Sequence, residues 1–387
     1  MYFKFFIGRV GEITTPDRQA KGAIRCLALS YIKSGDSERQ LNASKLRTTR
    51  DGRNIVLALV TGSTGLVGNN VTRMLLDQGH QVRVMVRDPR IDRSLAGLDV
   101  EAVPGDIREE EAVNTAMIGV DAVIHSAAVV HIGWTKEKLM QQVNVEGTRI
   151  VAEAALKQGV RMVHVSSVDA LGVGKKDASA NEDSPREGKI PCPYVVTKRA
   201  AEDALREMVP QGLNVVITNP ALMFGPWDWK PSSGRMLISV VKKQPPMAPS
   251  GGGSVCDVRD VAAAIITAIH KGKVGENYIL GGENLTYFDL WKRMAAITGR
   301  RPPWARLGPV IGMIAGFSGD MYGHMDGKEP EVNSAAIKMG SQYHYYRSDK
   351  AMEELDYQIR PLDKTLRDAL VWFRANGYLP ALDGSKK

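Results

Sequence analysis

The chain has 387 residues, of which 43% are hydrophobic and 24% charged, a composition typical of globular proteins rather than disordered or fibrous ones. This length exceeds what one hydrophobic core usually holds, so we expect two domains or one large domain with an appendage. The net charge of +8 is concentrated in residues 1–53, which hold 11 Lys and Arg against 5 Asp and Glu, while the remainder holds 40 against 38. A nearly neutral body without a basic stripe argues against nucleic-acid binding.

Residues 1–53 show no sustained period of 2 or 3.6 residues and no small-residue cleavage site. We expect a disordered extension or a start codon assigned too far upstream. Glu12 and Asp17 argue against a transit peptide. The longest apolar run, 307–317, contains three glycines and a proline and is shorter than the roughly 18 residues of a membrane span. We therefore predict no integral membrane segment.

Three cysteines, Cys26, Cys192 and Cys256, lie far apart in the sequence. They have neither the density of a disulfide framework nor the spacing of metal ligands. We expect no metal site, and we expect a reducing, cytoplasmic location.

From Asn54 onward, short apolar runs alternate with helical segments. IVLALV (55–60) is typical of a strand buried on both faces, and QVRVMVR (81–87) predicts a second strand after a helix that ends at Gly79. Further β-rich runs lie at 100–107, 121–128, 161–167 and 213–220, and a long helix is predicted at 138–158. This alternation predicts an α/β fold with a doubly wound parallel sheet.

After Pro220 the alternation weakens. Residues 221–254 are rich in Pro, Gly and Trp, and residues from 283 onward are mostly helical. We predict a nucleotide-binding domain over 54–220, to which 255–282 return, and a smaller substrate lobe formed by 221–254 and 283–387. A cleft between them is the usual place for a substrate.

A glycine-rich turn, TGSTGLVG, joins the first strand to its helix. Glycine lets the backbone approach a pyrophosphate at a helix N-terminus closely, so this turn predicts dinucleotide binding. The residues expected to contact the cofactor here are Gly62, Thr64, Gly65, Leu66, Val67 and Gly68.

The end of the second strand bears on the choice of cofactor. An acidic residue there accepts the ribose 2′-hydroxyl of NAD, whereas Arg binds the 2′-phosphate of NADP. Arg87 comes first and Asp88 follows it. We therefore predict NADP, with NAD as the alternative in which Asp88 binds the hydroxyl.

Tyr194 and Lys198 form a Tyr-x-x-x-Lys pair whose side chains share one helix face. A lysine cation favours the phenolate, so we expect it to lower the pKa of Tyr194 and make this residue a general acid and base. Tyr346 and Lys350 have the same spacing. Because Ser348 is typical of the N-cap of the following helix, Tyr346 is expected outside that helix and far from the sheet residues.

The ordered motifs resemble the extended short-chain dehydrogenase/reductase family, and within it the dihydroflavonol-4-reductase-like and NAD(P)-dependent epimerase/dehydratase group, from about residue 54 to the C-terminus. The motifs that carry the resemblance are TGSTGLVG (61–68), VRDP (86–89), GDI (105–107), HSAA (125–128), NVEGT (144–148), VSSVDALG (165–172), YVVTK (194–198) and NP…FGP (219–226). The resemblance implies a Rossmann-type fold and a homodimer.

The resemblance also assigns roles to individual residues. Ser167 is implied as the residue that polarises the substrate, with Ser166 as the alternative, and it acts with Tyr194 and Lys198. The residues implied around the cofactor are Asp106 and Ile107 at the adenine, Ala127 and Ala128 along its path, Tyr194 and Lys198 at the ribose, and Pro220 near the nicotinamide. Asn144 is implied as a structural polar residue, against the alternative of a solvated helix face.

The sequence departs from the family pattern at one position that bears on the substrate. Members that act on nucleotide sugars usually have an Arg-Asp pair where this chain has Gly253 and Ser254. This difference weakens the case for a nucleotide-sugar substrate. Four aromatic residues are either pocket-lining or simply buried: His131, Trp134, Trp227 and Trp229.

We therefore predict an NAD(P)-dependent oxidoreductase, dihydroflavonol-4-reductase-like, that reduces a ketone or aldehyde with NADPH or runs in reverse on an alcohol. Alternatives are a nucleotide-sugar epimerase or dehydratase, and a hydroxysteroid-type dehydrogenase. A protein that senses the dinucleotide without catalysis is a further alternative, although the Ser-Tyr-Lys set argues against it.

Overall fold

The structure, a computed structural model, describes residues 56–88, 93–326 and 329–380, so the predicted extension over 1–53 lies outside the described residues. In chain order the strands are β1 (Leu57–Thr61), β2 (Gln81–Val86), β3 (Glu101–Pro104), β4 (Ala122–His125), β5 (Arg161–Val165), β6 (Val215–Pro220), β7 (Leu222–Phe224), β8 (Met247–Ala248), β9 (Gly252–Asp257), β10 (Asn277–Leu280), β11 (Glu283–Thr286), β12 (Ala305–Arg306) and β13 (Tyr343–His344).

The helices lie between and after these strands. They are α1 (Leu66–Asp77), α2 (Glu110–Met117), α3 (Glu137–Met140), α4 (Gly147–Gln158), α5 (Pro193–Met208), α6 (Gly234–Lys243), α7 (Val258–Lys271), α8 (Tyr287–Thr298), α9 (Pro309–Asp326), α10 (Ser334–Gly340), α11 (Asp349–Leu355) and α12 (Leu362–Ala375). None of the described helices is long and apolar enough to cross a membrane.

Seven strands form one sheet in the order β3-β2-β1-β4-β5-β6-β10, and every neighbouring pair is parallel. The order reverses between β1 and β4, which creates a crevice at the carboxyl ends of these strands. The predicted doubly wound parallel sheet is confirmed.

Apolar side chains cover both faces of the sheet. One core contains residues of α1, α7 and α11, and the other contains residues of α2, α4 and α5. Every residue of β4 and β6 is buried, which explains why these strands are continuous apolar runs rather than alternating ones.

The helix predicted over 138–158 is not a single α-helix. A π-helical turn, Gln141–Glu146, lies between α3 and α4. The helix ends as predicted at Gly159, which has a left-handed φ of 65°. The π-turn contains the buried Asn144, which is consistent with the tendency of such turns to occur where a side chain has a special task.

Several segments after β6 form structure outside the large sheet. Strands β7, β9, β11 and β13 form a small mixed sheet, and β8 pairs with β12. Helices α6, α8 and α12 enclose a separate apolar cluster. The chain returns to the large sheet at β10, which pairs with β6.

Candidate active site

The turn after β1 brings three glycines to the N-terminus of α1. Gly62 has a left-handed φ of 72°, and its carbonyl accepts a hydrogen bond from the Gly65 amide at 3.0 Å. A Cβ at Gly62 would lie 2.6 Å from the Ala127 amide nitrogen, and one at Gly68 would collide with the Gly62 carbonyl. The glycines are therefore required for the close approach of this turn to the end of β4.

This turn has the features that a dinucleotide pyrophosphate requires. A Cβ at Gly65 would meet only the Gly62 carbonyl oxygen, at 3.4 Å, so the absence of a side chain leaves the start of α1 open. Amide groups at a helix N-terminus attract phosphate oxygens. The residues present thus fit the cofactor that the sequence predicts. Lys230 lies at the same turn, where its Nζ donates to Thr64 Oγ1 at 3.1 Å.

Residues at the ends of β2 and β3 form the neighbouring part of the crevice. Arg87 is exposed and Asp106 is half-buried. Arg108 donates two side-chain hydrogen bonds to Asp106, of 2.9 and 2.7 Å, and together with the Arg87 charge lowers the pKa of that carboxyl. Ile107 is buried and packs with the core beside α2. Two cationic side chains thus lie next to the predicted adenosine position.

The other predicted cofactor neighbours lie at the carboxyl ends of central strands. Ala127 and Ala128, both half-buried, follow β4, and the Ala127 amide donates to Thr61 Oγ1 at 3.4 Å. Pro220 is the buried last residue of β6. All three are at the edge of the sheet where the crevice opens.

Tyr194 and Lys198 occupy the first turns of α5. The helix begins at Pro193, whose fixed φ suits the first helical position. Tyr194 is 6% exposed and Lys198 is 3% exposed. Lys198 Nζ donates to the Val165 carbonyl at the end of β5, at 3.0 Å. The helix therefore holds both side chains against the carboxyl end of the strand that precedes Ser167.

Ser167 is close to Tyr194. The Ser167 side chain is near enough to influence the pKa of the Tyr194 phenol, and Ser167 Oγ accepts from the Asp169 amide at 3.1 Å. Ser166 is directed elsewhere, because its hydroxyl donates to the buried Glu202 at 2.5 Å. Of the two serines left open by the sequence, the structure brings Ser167 to the phenol.

The electrostatics of the pair differ from the expectation that Lys198 lowers the phenol pKa. Burial raises the pKa of Tyr194, the Asp169 carboxylate raises it further, and the nearby Ser167 hydroxyl opposes this rise. Burial also lowers the pKa of Lys198 to about 8, against a smaller opposing effect of Glu202. In the protein alone, Tyr194 is a protonated phenol, which suits a proton donor.

Asp169 belongs to a buried network that the sequence motifs do not predict. Lys189 Nζ donates to Asp169 at 2.8 Å and to His344 Nδ1 at 2.7 Å. The other ring nitrogen of His344 lies 2.9 Å from the Met339 carbonyl. Burial lowers the pKa of His344 to about 4, so this ring is neutral and accepts from Lys189. The network fixes a carboxylate two residues after Ser167, and its members are too far apart in sequence for a motif to connect them.

Tyr346 is nearer to the site than its sequence position suggested. Its buried hydroxyl donates to the carbonyls of Val168 and Gly172, at 3.1 and 2.8 Å. The expectation that Tyr346 lies far from the sheet residues is therefore wrong. Lys350 is paired with Glu276 at 2.7 Å rather than directed at Tyr346, so this second Tyr-x-x-x-Lys spacing builds no acid-base pair.

Asn144 is buried and its side-chain amide is hydrogen-bonded, which excludes the alternative of a solvated helix face. Its side-chain amide exchanges two hydrogen bonds with the Val129 backbone, at 2.8 and 3.0 Å, and donates to Thr197 at 3.3 Å. Asn144 thus ties the loop after β4 to α5, the helix that carries Tyr194 and Lys198.

Comparison with known proteins places the chain in a family. Residues 58–281 match the NAD dependent epimerase/dehydratase family. A Synechocystis protein provisionally named a dihydroflavonol 4-reductase is 34% identical over 329 residues, which are 83% of this chain and 95% of that protein. This chain belongs to the NAD dependent epimerase/dehydratase family. It is an NAD(P)-dependent oxidoreductase, and the predicted resemblance to the extended short-chain dehydrogenases/reductases is confirmed.

Two further family relatives match over most of their length. Sterol demethylase protein B of Methylococcus capsulatus is 31% identical over 326 residues, 83% of this chain and 99% of that protein. The crystal structure of gox2253 is 34% identical and superimposes with a TM-score of 0.72, covering 84% of this chain and 99% of its own.

In this family member, the surroundings of Tyr194 are apolar. Tyr194 belongs to a buried cluster with side chains from α3, the loop before α5, and α10. The cluster contains Met140, Cys192, Tyr194, Val195, Ala335 and Met339, with Val129, Ile132 and Ile190 packed against it. A hydrocarbon surface therefore borders the candidate reacting group.

The four ambiguous aromatic residues fall into two groups. Trp227 and Trp229 pack with Trp372, at centroid distances of 6.1 and 5.0 Å, inside the aromatic cluster of the lobe. His131 and Trp134 lie on the loop after β4, which Glu329 holds by a 2.7 Å contact with His131 and by accepting from the Trp134 amide at 2.8 Å. Hydrogen bonds to this loop overcome burial and lower the pKa of Glu329 to about 2, so it is ionised.

Proposed function

We propose that this protein is an NADPH-dependent reductase of a ketone or aldehyde on a bulky apolar molecule, reversible as an alcohol dehydrogenase. One observation carries the proposal. The Ser167 hydroxyl lies near the buried Tyr194 phenol at the carboxyl end of β5, with the buried Lys198 one helical turn further on.

The cofactor would be held by groups at both ends of the crevice. The amides of the turn that contains Gly62, Gly65 and Gly68 would bind its pyrophosphate, and Lys198 its nicotinamide ribose. Arg87 would bind the 2′-phosphate, because a guanidinium donates two parallel hydrogen bonds to phosphate. When bound, reduced NADP supplies a hydride to the carbonyl carbon.

The protein's own residues supply the proton. Ser167 donates a hydrogen bond to the carbonyl oxygen and polarises it. Tyr194 gives its phenolic proton to the oxygen as negative charge develops there, and the Lys198 ammonium stabilises the phenolate that remains. The raised pKa of Tyr194 supports this direction, since the phenol stays protonated until the oxygen becomes basic.

The apolar surroundings of Tyr194 support an apolar substrate. Hydrocarbon side chains surround Tyr194. In addition, this chain has Gly253 and Ser254, which carry no positive charge, where family members that act on nucleotide sugars usually have an Arg-Asp pair. Ser254 is buried, and its hydroxyl accepts from the Gly282 amide at 2.8 Å. The similarity to a sterol demethylase protein supports the same class of substrate.

The proposal is tested by absorbance at the NADPH band with a panel of carbonyl compounds and product analysis. The panel contains sterol-like ketones, long-chain ketones, short aldehydes and UDP-sugars. Net NADPH consumption with an apolar ketone and formation of the alcohol is the expected result. Sugar conversion without net NADPH consumption overturns the proposal in favour of an epimerase, and tight binding without turnover of any carbonyl favours a dinucleotide sensor.

The cofactor preference has its own test at Arg87. We expect Arg87→Ser to raise KM for NADPH about tenfold or more while leaving KM for NADH within about twofold, because one phosphate contact is lost. Arg347→Ser is the matched control, since Arg347 is an exposed guanidinium paired with Asp349. Equal effects of Arg87→Ser on both cofactors contradict the assignment.

We also propose a cytoplasmic location and a homodimer. The described cysteines, Cys192 and Cys256, are buried free thiols, which supports a reducing compartment. Cell fractionation checks the location. Light scattering on the purified chain distinguishes a dimer from a monomer.

A further inference from the structure

Helix α9 packs against the protein through glycines. Gly312, Gly316, Gly319 and Gly323 are buried and recur at intervals of three or four residues, so they form one stripe along the helix. A Cβ at Gly316 would lie 2.9 Å from Ser334 Cα, and one at Gly319 would collide with the Val332 carbonyl. The backbone of α9 therefore rests directly on α10 and the segment before it.

The large apolar side chains of α9 point the other way. Met313 is 67% exposed, Phe317 64% and Met325 84%, which is the reverse of an ordinary helix on a protein surface. The exposed apolar face of α9 consists of Val310, Ile311, Met313, Ile314, Phe317, Met321, Tyr322 and Met325. A contiguous apolar face of this kind marks an interaction surface.

Over 309–325, where the side chains of α9 are described, this face carries no exposed carboxylate. Asp320 is the single acidic residue between 309 and 325. Its carboxylate accepts from the Ser334 amide at 3.0 Å and so is directed toward α10. The outward face is therefore apolar without a negative charge to pair with a cation.

Cations and an exposed indole surround the start of α9. Trp304 is 76% exposed. The Arg301 amide contacts Gln244 at 3.3 Å, and β12 pairs with β8, so the end of α6 lies beside the segment that leads into α9. The basic rim consists of Lys242, Lys243, Arg300, Arg301 and Arg306, all exposed and none in an ion pair with a described residue.

We propose that α9 docks this protein on the surface of an anionic lipid bilayer. The exposed apolar face enters the boundary between headgroups and acyl chains, Trp304 lies at the headgroup level, and the basic rim binds lipid phosphates. A second copy of the chain fits this surface less well. A contact between two identical faces would bring two basic rims together without a carboxylate for either.

The docked helix is one layer away from the candidate active site. On its inner side α9 packs on α10, and Ala335 and Met339 of α10 belong to the apolar cluster of Tyr194. An apolar carbonyl compound dissolved in the bilayer would therefore reach the site over a hydrocarbon surface. This route rests on the proposed function, whereas the docking itself does not.

The docking is tested by flotation of the full-length protein with phosphatidylcholine vesicles, with and without phosphatidylglycerol. We expect the protein to float with the anionic vesicles at physiological salt. Ile314→Ser combined with Phe317→Ser should weaken binding about tenfold or more, because both side chains leave the acyl boundary. Arg300→Gln combined with Arg301→Gln should weaken binding to anionic vesicles about tenfold.

Matched controls remove equivalent groups elsewhere. Ile118→Ser with Val371→Ser changes two apolar side chains that are 64% and 65% exposed, the first directly after α2 and the second on α12, and should float like the unaltered protein. Lys175→Gln with Lys176→Gln is the control for charge. Because every variant keeps residues 1–53, any vesicle binding by that basic segment is common to all of them.

Three results would overturn the docking. The first is that the full chain floats with neither kind of vesicle. The second is that the Ile314 and Phe317 double variant floats as well as the unaltered protein. The third is that no vesicle binds and that light scattering shows a dimer which this double variant converts to a monomer. Reduction of a short, water-soluble carbonyl by the same variants is measured in parallel, so that a failure of docking is distinguishable from a failure of the proposed reaction.

Discussion

The chain contains the spacing Tyr-x-x-x-Lys twice, and the two copies have different surroundings. Tyr194 and Lys198 lie on the first turns of α5, both buried, with Ser167 beside the phenol. Tyr346 precedes α11, its hydroxyl donates to two backbone carbonyls, and Lys350 pairs with Glu276. The first pair leaves its phenol available to a reacting oxygen, and the second uses its phenol to hold a loop.

The difference shows that the Tyr-x-x-x-Lys spacing forms a candidate acid-base pair only where the surrounding structure brings the right groups together. A helix places the two side chains of the first pair on one face, and Ser167, two residues after β5, supplies the third functional group. In the second pair, Tyr346 alone contacts the same segment, because it donates to the carbonyls of Val168 and Gly172, which flank the turn that follows Ser167. One pair is therefore proposed to react, and the other to position the strand end at which it reacts.

Substitution of the two neighbouring serines tests which of them contacts the reacting oxygen. Ser167→Ala should lower kcat/KM for the carbonyl substrate about a hundredfold, because one donor to the reacting oxygen is lost. Ser166→Ala should lower it far less and should instead lower the melting temperature, since the Ser166 hydroxyl bonds to the buried Glu202. Steady-state kinetics and thermal melts of both variants check this. A larger kinetic loss for Ser166→Ala would reassign the site to Ser166.

The pH dependence of reduction distinguishes the role of Lys198 from that of Lys350. Since the pKa of Lys198 is lowered to about 8, its ammonium is present below that pH and lost above it. We expect kcat for reduction to be level at lower pH and to fall by up to about tenfold per pH unit above 8. Lys350→Met should leave this profile unchanged. A rate that stays level to pH 10 contradicts the role of the ammonium.

Stability should respond to the second tyrosine. Tyr346→Phe removes the hydroxyl that donates to the buried Gly172 carbonyl and leaves the Val168 carbonyl with the Leu171 amide, and we expect it to lower the free energy of unfolding by about 1–2 kcal/mol. Tyr194→Phe should cost less, because it removes a buried polar group whose desolvation opposes folding. Denaturant titrations compare the two. A greater loss for Tyr194→Phe would show that its role is structural.

Much of the nucleotide-binding half could be predicted from the sequence, because its signals are local. Continuous apolar runs indicated the parallel strands, and the glycines of 61–68 indicated the turn that approaches β4. The α5 motif placed Tyr194 and Lys198 on one face for the same reason. Each of these features depends on residues within about ten positions of one another.

Features that depend on long-range contacts could not be predicted in this way. Glu329 holds the loop at His131 and Trp134 from almost 200 residues away, and Tyr346 supports Gly172 from 174 residues away. No period in the sequence links these positions. The outward apolar face of α9 was also hidden, because only the structure shows that its glycines face inward.

The most direct test of the account compares Tyr194→Phe and Tyr346→Phe in one NADPH absorbance assay with the best carbonyl substrate of the panel. We predict that Tyr194→Phe loses turnover by about a thousandfold or more with NADPH affinity unchanged, because it removes the proton donor alone. Tyr346→Phe should keep turnover within a fewfold of the unaltered protein. Retained turnover in Tyr194→Phe, or a larger loss in Tyr346→Phe, would contradict the assignment of the reacting phenol.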